Sequence, residues 1–556
     1  MGTLFKNKYV FGFILITTIL FFGRILFFVG SYGGVEHDSG WYLGVAKNLA
    51  ERGIYASYTN TIIEEGVTNA PSIHGRFSVQ DEKGYSYFPA GVTVGPGYIV
   101  PEALILKIFG SGWWQFRAWP LAIFLLLLLL LFSFIYTVGG LPALMIFQVW
   151  LYVVPQFYIS YSFEAFSESI AFFFIFLSFL FYDLSFKKKT LVLIILSGLF
   201  YSFAILTKNL FLLPGLIFIP FFTWKLKDIK NIKNNFIRLL LFIFSLFLPI
   251  LLFEGYRYFV LLSGFGSLGY DAINKDISLT FQQNGSGLAN IFTNLNLEFI
   301  SNKVKIWLDV GIGHYALFWI ILFLSFIPTY KMANKKYSKI ITILFLSMTI
   351  SFFWFIFISP TGWARHAWQA IMIGMILISI FLGLTYKKIL ARKKFYMLPI
   401  LLLLIILFTR RESLDFNYFL TETDIYQWRT NRFIRNLEGF PSTPILSLRD
   451  QEELLNYFNK NIKKNDSVYY LGWFLNSEAS AITGKVFFPL DRYLSSQKDN
   501  SYLILGPYQK GIWSLMPPDY VPLKKTLLCQ DVVFENNSYT LCKLKKGLVY
   551  SNLPYQ

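Results

Sequence analysis

Long apolar runs alternate with short basic stretches through most of this chain. A helix that crosses a bilayer needs roughly twenty largely apolar residues, and about eleven stretches meet that requirement. They fall at 9–29, 116–136, 141–159, 166–184, 190–206, 209–224, 237–260, 307–328, 340–359, 367–385 and 395–409. The first runs to Arg24 without a small-residue cleavage site and so reads as an anchor, not a signal peptide. The pattern changes after 410, where SVYYLGWF, SYLILG and DVVFEN alternate as strands beside the helical RDQEELLNYFNKNI. The expected fold is an all-α polytopic membrane domain over 1–409, with a large loop at 30–115, followed by a small α/β soluble domain over 410–556.

Charge gives the runs a direction. With Lys6 and Lys8 placed in the cytoplasm, alternate connections should be basic. Those connections hold Lys187, Lys188 and Lys189; Lys225, Lys227, Lys230, Lys233 and Arg238; Lys331, Lys335, Lys336 and Lys339; and Lys387, Lys388, Arg392, Lys393 and Lys394. Only the connection at Gly139 and Gly140 is neutral. The expected topology is a multi-pass protein of the plasma (inner) membrane with a cytoplasmic N-terminus. Loop 30–115, the turns near 160–165 and 207–208, loop 261–306, the turn SPTGWARHAW and the C-terminal domain are then extracytoplasmic.

Composition agrees. Hydrophobic residues make up 55% of the chain and charged ones 15%, with a mean hydropathy of +0.50, beyond what a soluble domain can bury. The net charge of +18 would suggest nucleic acid in a soluble protein. Here it sits in short loops on one side, so topology accounts for it and no nucleic-acid partner is expected. No phosphate-binding loop or dinucleotide fingerprint occurs. The only two cysteines, Cys529 and Cys542, flank a predicted hairpin centred on Asn536 and Asn537. A disulfide in an oxidising compartment and two reduced buried thiols both fit that spacing.

Candidate chemistry collects on the extracytoplasmic side. Glu36, His37 and Asp38 stand just past the first apolar run, followed by an amphipathic segment whose Leu43, Ala46, Leu49 and Ala50 recur at helical spacing. That segment is expected to lie along the membrane surface. Glu164 and Glu168 open the fourth run, Lys208 sits between two others, and Arg365 and His366 occupy a late turn. A carboxylate can activate a hydroxyl or amine or hold a divalent cation, and Lys and Arg can hold a phosphate. Capping for the acids and headgroup anchoring for the bases are the structural alternatives. The four histidines, at 37, 74, 314 and 366, lack ligand spacing, so Zn is not expected. Mg²⁺ or Mn²⁺ on Asp38 and Glu168 is the metal option.

The segment HDSGWYLGVAKNLAERGIYA resembles the start of the first extracytoplasmic loop in the glycosyltransferase C superfamily, whose members include the protein mannosyltransferases and aminoarabinose transferases. YFPAGVTVGPGYIVPEALILKIFG, WWQFRAWPLAIF, YSFEAFSESIAFFFIF, AILTKNLFLLPG and ISPTGWARHAWQAIMIG are similar to later family passages in the same order, over roughly 1–410. The resemblance implies that Asp38 is the essential acid, with Glu168 or Glu164 as a second carboxylate. It further implies that Lys208, Arg365, His366, Tyr42 and Arg117 bind substrate. The implied reaction moves a sugar from a polyprenyl-phosphate donor to an extracytoplasmic acceptor, by inversion at the anomeric carbon. Protein mannosyltransferases carry Asp-Glu where this chain has Asp38-Ser39, a departure from that branch. A lipid-linked-glycan transporter or flippase would show mid-bilayer charges and internal repeats, neither of which is present. A ligase or polymerase of lipid-linked glycans would differ in its donor.

Overall fold

The computed structural model describes residues 8–31, 34–35, 37–59, 78–88, 95–153, 167–188, 190–226, 231–293, 298, 301, 313–357, 368–390, 448–471, 476–490, 493, 500–506 and 527–548. Helix α1 (Lys8–Ser31) precedes two helices of the first loop, α2 (His37–Arg52) and α3 (Pro96–Phe109). There follow α4 (Ala118–Gly139), α5 (Leu141–Val153), α6 (Glu168–Lys188), α7 (Leu191–Thr207), α8 (Phe218–Leu226) and α9 (Ile232–Thr293). The bundle continues with α10 (Gly313–Met332), α11 (Lys335–Phe357) and α12 (Trp368–Leu390). Of the predicted membrane stretches, 395–409 lies outside the described residues, as do 154–159, 307–312, 358–359 and positions 166 and 367; the described parts of the other stretches are largely helical, with a turn at 216–217. Among the described residues, 6 helices are long and apolar enough to cross a membrane. The chain is a multi-pass membrane protein.

The bundle core comes from α4, α5, α6, α11 and α12, through residues such as Leu127, Phe147, Phe176, Leu344 and Ile376. Helices α6 and α7 are also joined by reciprocal serine bonds. Ser178 Oγ donates to the Ser197 carbonyl at 2.8 Å, and Ser197 Oγ donates to that of Ser178 at 2.9 Å. Small residues permit this approach, and the bonds satisfy hydroxyls that would otherwise face hydrocarbon. The other end of the pair places the start of α6 beside the end of α7.

The predicted loop at 261–306 is not a loop up to Thr293. Helix α9 continues from the bilayer into that region, with Gly266 as a non-helical point. Beyond residue 260 it still buries apolar side chains: Phe265 packs on Tyr87 at 4.9 Å, and Leu261 and Ile273 join the core of the first loop. Hydropathy falls along this stretch because Ser, Gly, Asp, Asn, Lys and Gln interrupt the apolar residues, so a span-length average loses the helix.

Toward the C-terminus, α13 (Leu448–Asn461) and α14 (Ser477–Thr483) accompany a five-stranded sheet of order β5-β4-β6-β8-β7. Its strands are β4 (Ser467–Tyr470), β5 (Phe487–Pro489), β6 (Ser501–Leu505), β7 (Cys529–Glu535) and β8 (Thr540–Leu544). β4 runs parallel to β5 and β6, whereas β6, β8 and β7 are antiparallel neighbours. Strands β7 and β8 form the expected hairpin, closed by a Cys529–Cys542 disulfide. A smaller sheet, of β1 (Ala56–Ser57), β2 (Val79–Gln80) and β3 (Ser86–Tyr87), belongs to the first loop. One hydrophobic cluster holds both regions together, from Trp41, Val45 and Tyr98 of the first loop to Leu454, Val468, Ile504 and Tyr539.

Helix α2 is therefore not a surface helix. Residues Ser39–Asn48 are all buried, between α3 on one side and α14 on the other. A Cβ on Gly40 would sit 2.1 Å from the Glu478 amide nitrogen, so α2 and α14 cross with backbones in contact, as only glycine allows. The amphipathic pattern misled because Gly40 and Gly44, which score as neither polar nor apolar, form a second packing face.

Candidate active site at one end of the helix bundle

Asp38 is the second residue of α2. Tyr42 follows four positions on in the same helix. Its hydroxyl lies 3.2 Å from Ser167 Oγ, and its ring meets Tyr98 of α3 edge-on at 5.2 Å. Ser167 begins α6, its carbonyl accepting the Ala171 amide at 2.9 Å. The next residue is Glu168, so the chain itself links Tyr42's partner to the second predicted carboxylate.

Glu168 forms an ion pair with Lys208, 40 positions later, and the two side chains are 2% and 13% exposed. The local fold explains the meeting. Helix α7 ends at Thr207 and Lys208 turns extended, at φ −154° and ψ 117°, before the 3-10 turn Asn209–Phe211 resumes the helical path. That break directs the lysine back across the start of α6. Gly95, at the head of α3, presses on the same corner: a Cβ there would lie 1.8 Å from the Leu206 carbonyl oxygen. The glycine-rich return of the first loop is thus what lets α3 seat against the end of α7.

Arg117 is buried in the 3-10 turn Gln115–Arg117 and lies within electrostatic reach of Tyr98. Nearby, Glu102 accepts the Trp119 amide at 3.1 Å, capping the first turn of α4. Burial raises the Glu102 carboxyl to about 8, opposed by that one backbone bond. Burial, with Glu102 beside it, also pushes the Tyr98 phenol well up. Trp368, at the start of α12, packs on Phe172 at 5.6 Å, one turn below Glu168.

Several buried polar atoms without a hydrogen-bond partner lie at this end, namely Trp41 Nε1, Tyr98 Oη, Glu102 Oε1, Glu168 Oε2, Ser169 Oγ and both amide atoms of Gln369, while others, among them Tyr182 Oη, Asp183 Oδ1 and Lys339 Nζ, lie at the far end of α6. Such groups are costly in a finished core and mark a place built to meet polar chemistry. A carboxylate beside an ammonium, ringed by hydroxyl and amide groups at a helix N-terminus, suits a phosphorylated or hydroxylated ligand.

Of the residues singled out in the sequence, Tyr42, Glu168, Lys208 and Arg117 are brought to this end, and Asp38 starts the helix that carries Tyr42. Glu164, Arg365 and His366 lie outside the described residues. Among the described residues no three His, Cys, Asp or Glu side chains cluster as metal ligands, and one oxygen of Glu168 already faces Lys208. Sequence reasoning missed Tyr98, Glu102 and Ser167. A signal existed for Glu102, the single acid in a largely apolar helical run with a tyrosine four positions before it.

The C-terminal region reaches the site through α2. Gln451 of α13 bonds both backbone groups of Val35, accepting its amide at 2.7 Å and donating to its carbonyl at 2.7 Å. Lys47 Nζ donates to the Ala481 and Ile482 carbonyls at 3.1 and 3.2 Å, satisfying the C-terminal end of α14. Tyr539 Oη donates to Glu478 Oε1 at 3.2 Å. Asp38 thus lies between two points of attachment, Val35 and Gly40.

No family model matches the chain, and no curated protein does. Among solved structures it is similar to the crystal structure of ArnT from Cupriavidus metallidurans bound to undecaprenyl phosphate, with TM-score 0.48 and 12% identity, over 96% of this chain and 97% of the other. The apo crystal structure of the same ArnT gives TM-score 0.48 and 13% identity, over 96% and 98%. A likeness of that depth carries no argument about residues or chemistry, which rest on the geometry above.

Proposed function

We propose that the chain is a membrane glycosyltransferase that moves a sugar from a polyprenyl-phosphate donor to an extracytoplasmic glycan, lipid or protein acceptor. The observation that carries this reading is the Glu168–Lys208 pair, joined through Ser167 and Tyr42 to the helix in whose first turn Asp38 stands. The ordered sequence resemblance over roughly 1–410 supports it independently. In this reading Asp38 takes the proton of the acceptor hydroxyl or amine as it attacks the anomeric carbon, and the sugar–phosphate bond breaks with inversion. Lys208 and Arg365 stabilise the departing polyprenyl phosphate, aided by Arg117 and His366. Glu168, with Glu164 near it in sequence, orients Lys208 and the acceptor, while Tyr42 lines the sugar subsite.

The reading includes eleven spans, a cytoplasmic N-terminus in the inner membrane, and a C-terminal α/β domain over 410–556 on the outer side. Asp38 and the second oxygen of Glu168 are the groups through which Mg²⁺ or Mn²⁺ would be held, and turnover in excess chelator decides whether a cation takes part. The test uses purified protein in liposomes with a synthetic polyprenyl-phosphate sugar, following release of free polyprenyl phosphate. Asp38→Asn is expected to abolish release while membrane insertion stays intact; normal turnover in that variant overturns the assignment.

A further inference from the structure

The far end of α6 carries a second, different cluster. Phe186, in its last turn, is ringed by cations from three helices, α8, α9 and α11: Lys225 at 5.2 Å from the ring centroid, Arg238 at 5.1 Å and Lys339 at 4.0 Å. Lys339 also lies 4.4 Å over Tyr182. Lys187 and Lys336 flank the group over Tyr337, at 5.8 and 5.5 Å. These distances place any two of the three central cations within roughly 10 Å of each other, about one Debye length at 0.1 M salt.

Compensation is thin. Among the described residues the anion in this cluster is Asp183, which pairs with Lys187. Arg238 spends one donor on the Ser185 carbonyl at 3.1 Å, and Lys339 Nζ is buried without a hydrogen-bond partner. Aromatic faces offset part of the repulsion but supply no hydrogen-bond acceptor. Loop topology explains why these residues are basic. It does not require three of them to converge on one ring at the edge of the apolar bundle, where an unneutralised charge is costly.

We propose that Lys225, Arg238 and Lys339, gathered around Phe186, form a binding site for the phosphate of an anionic phospholipid headgroup from the adjacent leaflet. The headgroup supplies the missing anion and its acyl chains continue along the apolar helices. The leaflet supplies such lipids at high local concentration, and polybasic segments at its surface attract them. This site is independent of the transfer reaction at the other end of α6.

The test follows thermal unfolding of the full chain in an uncharged detergent by intrinsic tryptophan fluorescence, in three titrations: phosphatidylglycerol, phosphatidylcholine and inorganic phosphate. Phosphatidylglycerol is expected to raise the midpoint by several degrees, with little response to the other two at equal phosphate concentration. The Lys225→Gln/Arg238→Gln variant should need at least about fivefold more phosphatidylglycerol for half the shift. Lys331→Gln/Lys335→Gln removes equal charge from the connection that leads to Lys339, at positions outside the Phe186 cluster, and should leave the response unchanged. Equal losses in both double variants would reduce the effect to general surface charge and overturn the site, as would an equal response to phosphatidylcholine. An equal response to inorganic phosphate would overturn the lipid as ligand. Lys225→Gln alone serves if the double variant does not fold, with about a twofold weakening expected and an unchanged titration counting against the proposal.

Discussion

At the scale of single residues, the Glu168–Lys208 pair makes the sharpest demand. Glu168 is buried and Lys208 part-buried, and breaking a buried pair from one side leaves an uncompensated charge at a cost of up to about 3–5 kcal/mol. Lys208→Met should therefore lower the unfolding midpoint strongly, and adding Glu168→Gln to it should restore much of the stability but none of the transfer activity. Recovery of both would mean the pair is merely structural. Glu102 makes a demand on pH. Its folded carboxyl is raised from 4.5 to about 8, so between these values the folded state holds a proton that the unfolded chain has released. By linkage, stability falls as pH rises across that window, with a slope of up to about 1.4 kcal/mol per pH unit from this group. Glu102→Gln should flatten the unfolding midpoint between pH 5 and 8; an unchanged slope would count against a protonated Glu102.

Among elements, α2 decides most, because the acid it carries is positioned by what grips the helix. Gly40 touches the Glu478 backbone, so Gly40→Ala must push α2 and α14 apart. A displacement near 1 Å at a reacting group can cost on the order of 10²-fold in rate. The expected result is a kcat lower by roughly that factor with a nearly unchanged KM for the donor, read by the release assay. Helix positions were legible in the sequence because a spanning segment must satisfy its backbone internally and announces itself by length and hydropathy. The hairpin of β7 and β8 was legible from its alternation and its Asn-Asn turn. The burial of α2 on both faces was not, since the glycines of its second face carry no hydropathy signal. Nor was the reach of Gln451 to Val35, 416 positions apart, which is set only when two distant regions share a core. The Glu168–Lys208 contact lies between: the sequence offered both residues as candidates, and the extended backbone at Lys208 is what joins them.

The whole molecule has two chemically opposite ends. One gathers carboxylate, lysine, tyrosines and unpartnered polar atoms around the starts of α2, α6 and α12; the other gathers lysine and arginine around Phe186. The account stands on the first end facing out of the cell, with Arg365 on the same side as the first loop. Site-directed labelling with a membrane-impermeant maleimide reads this directly, and the native cysteines do not interfere because both are held in the disulfide. Single cysteines are placed at Lys83 in the first loop, at Arg365, and at Lys188 at the basic end. In intact cells, positions 83 and 365 should be labelled and position 188 only after permeabilisation. Labelling of 83 and 365 from opposite sides would contradict the account, since no single site could then contain both Asp38 and Arg365.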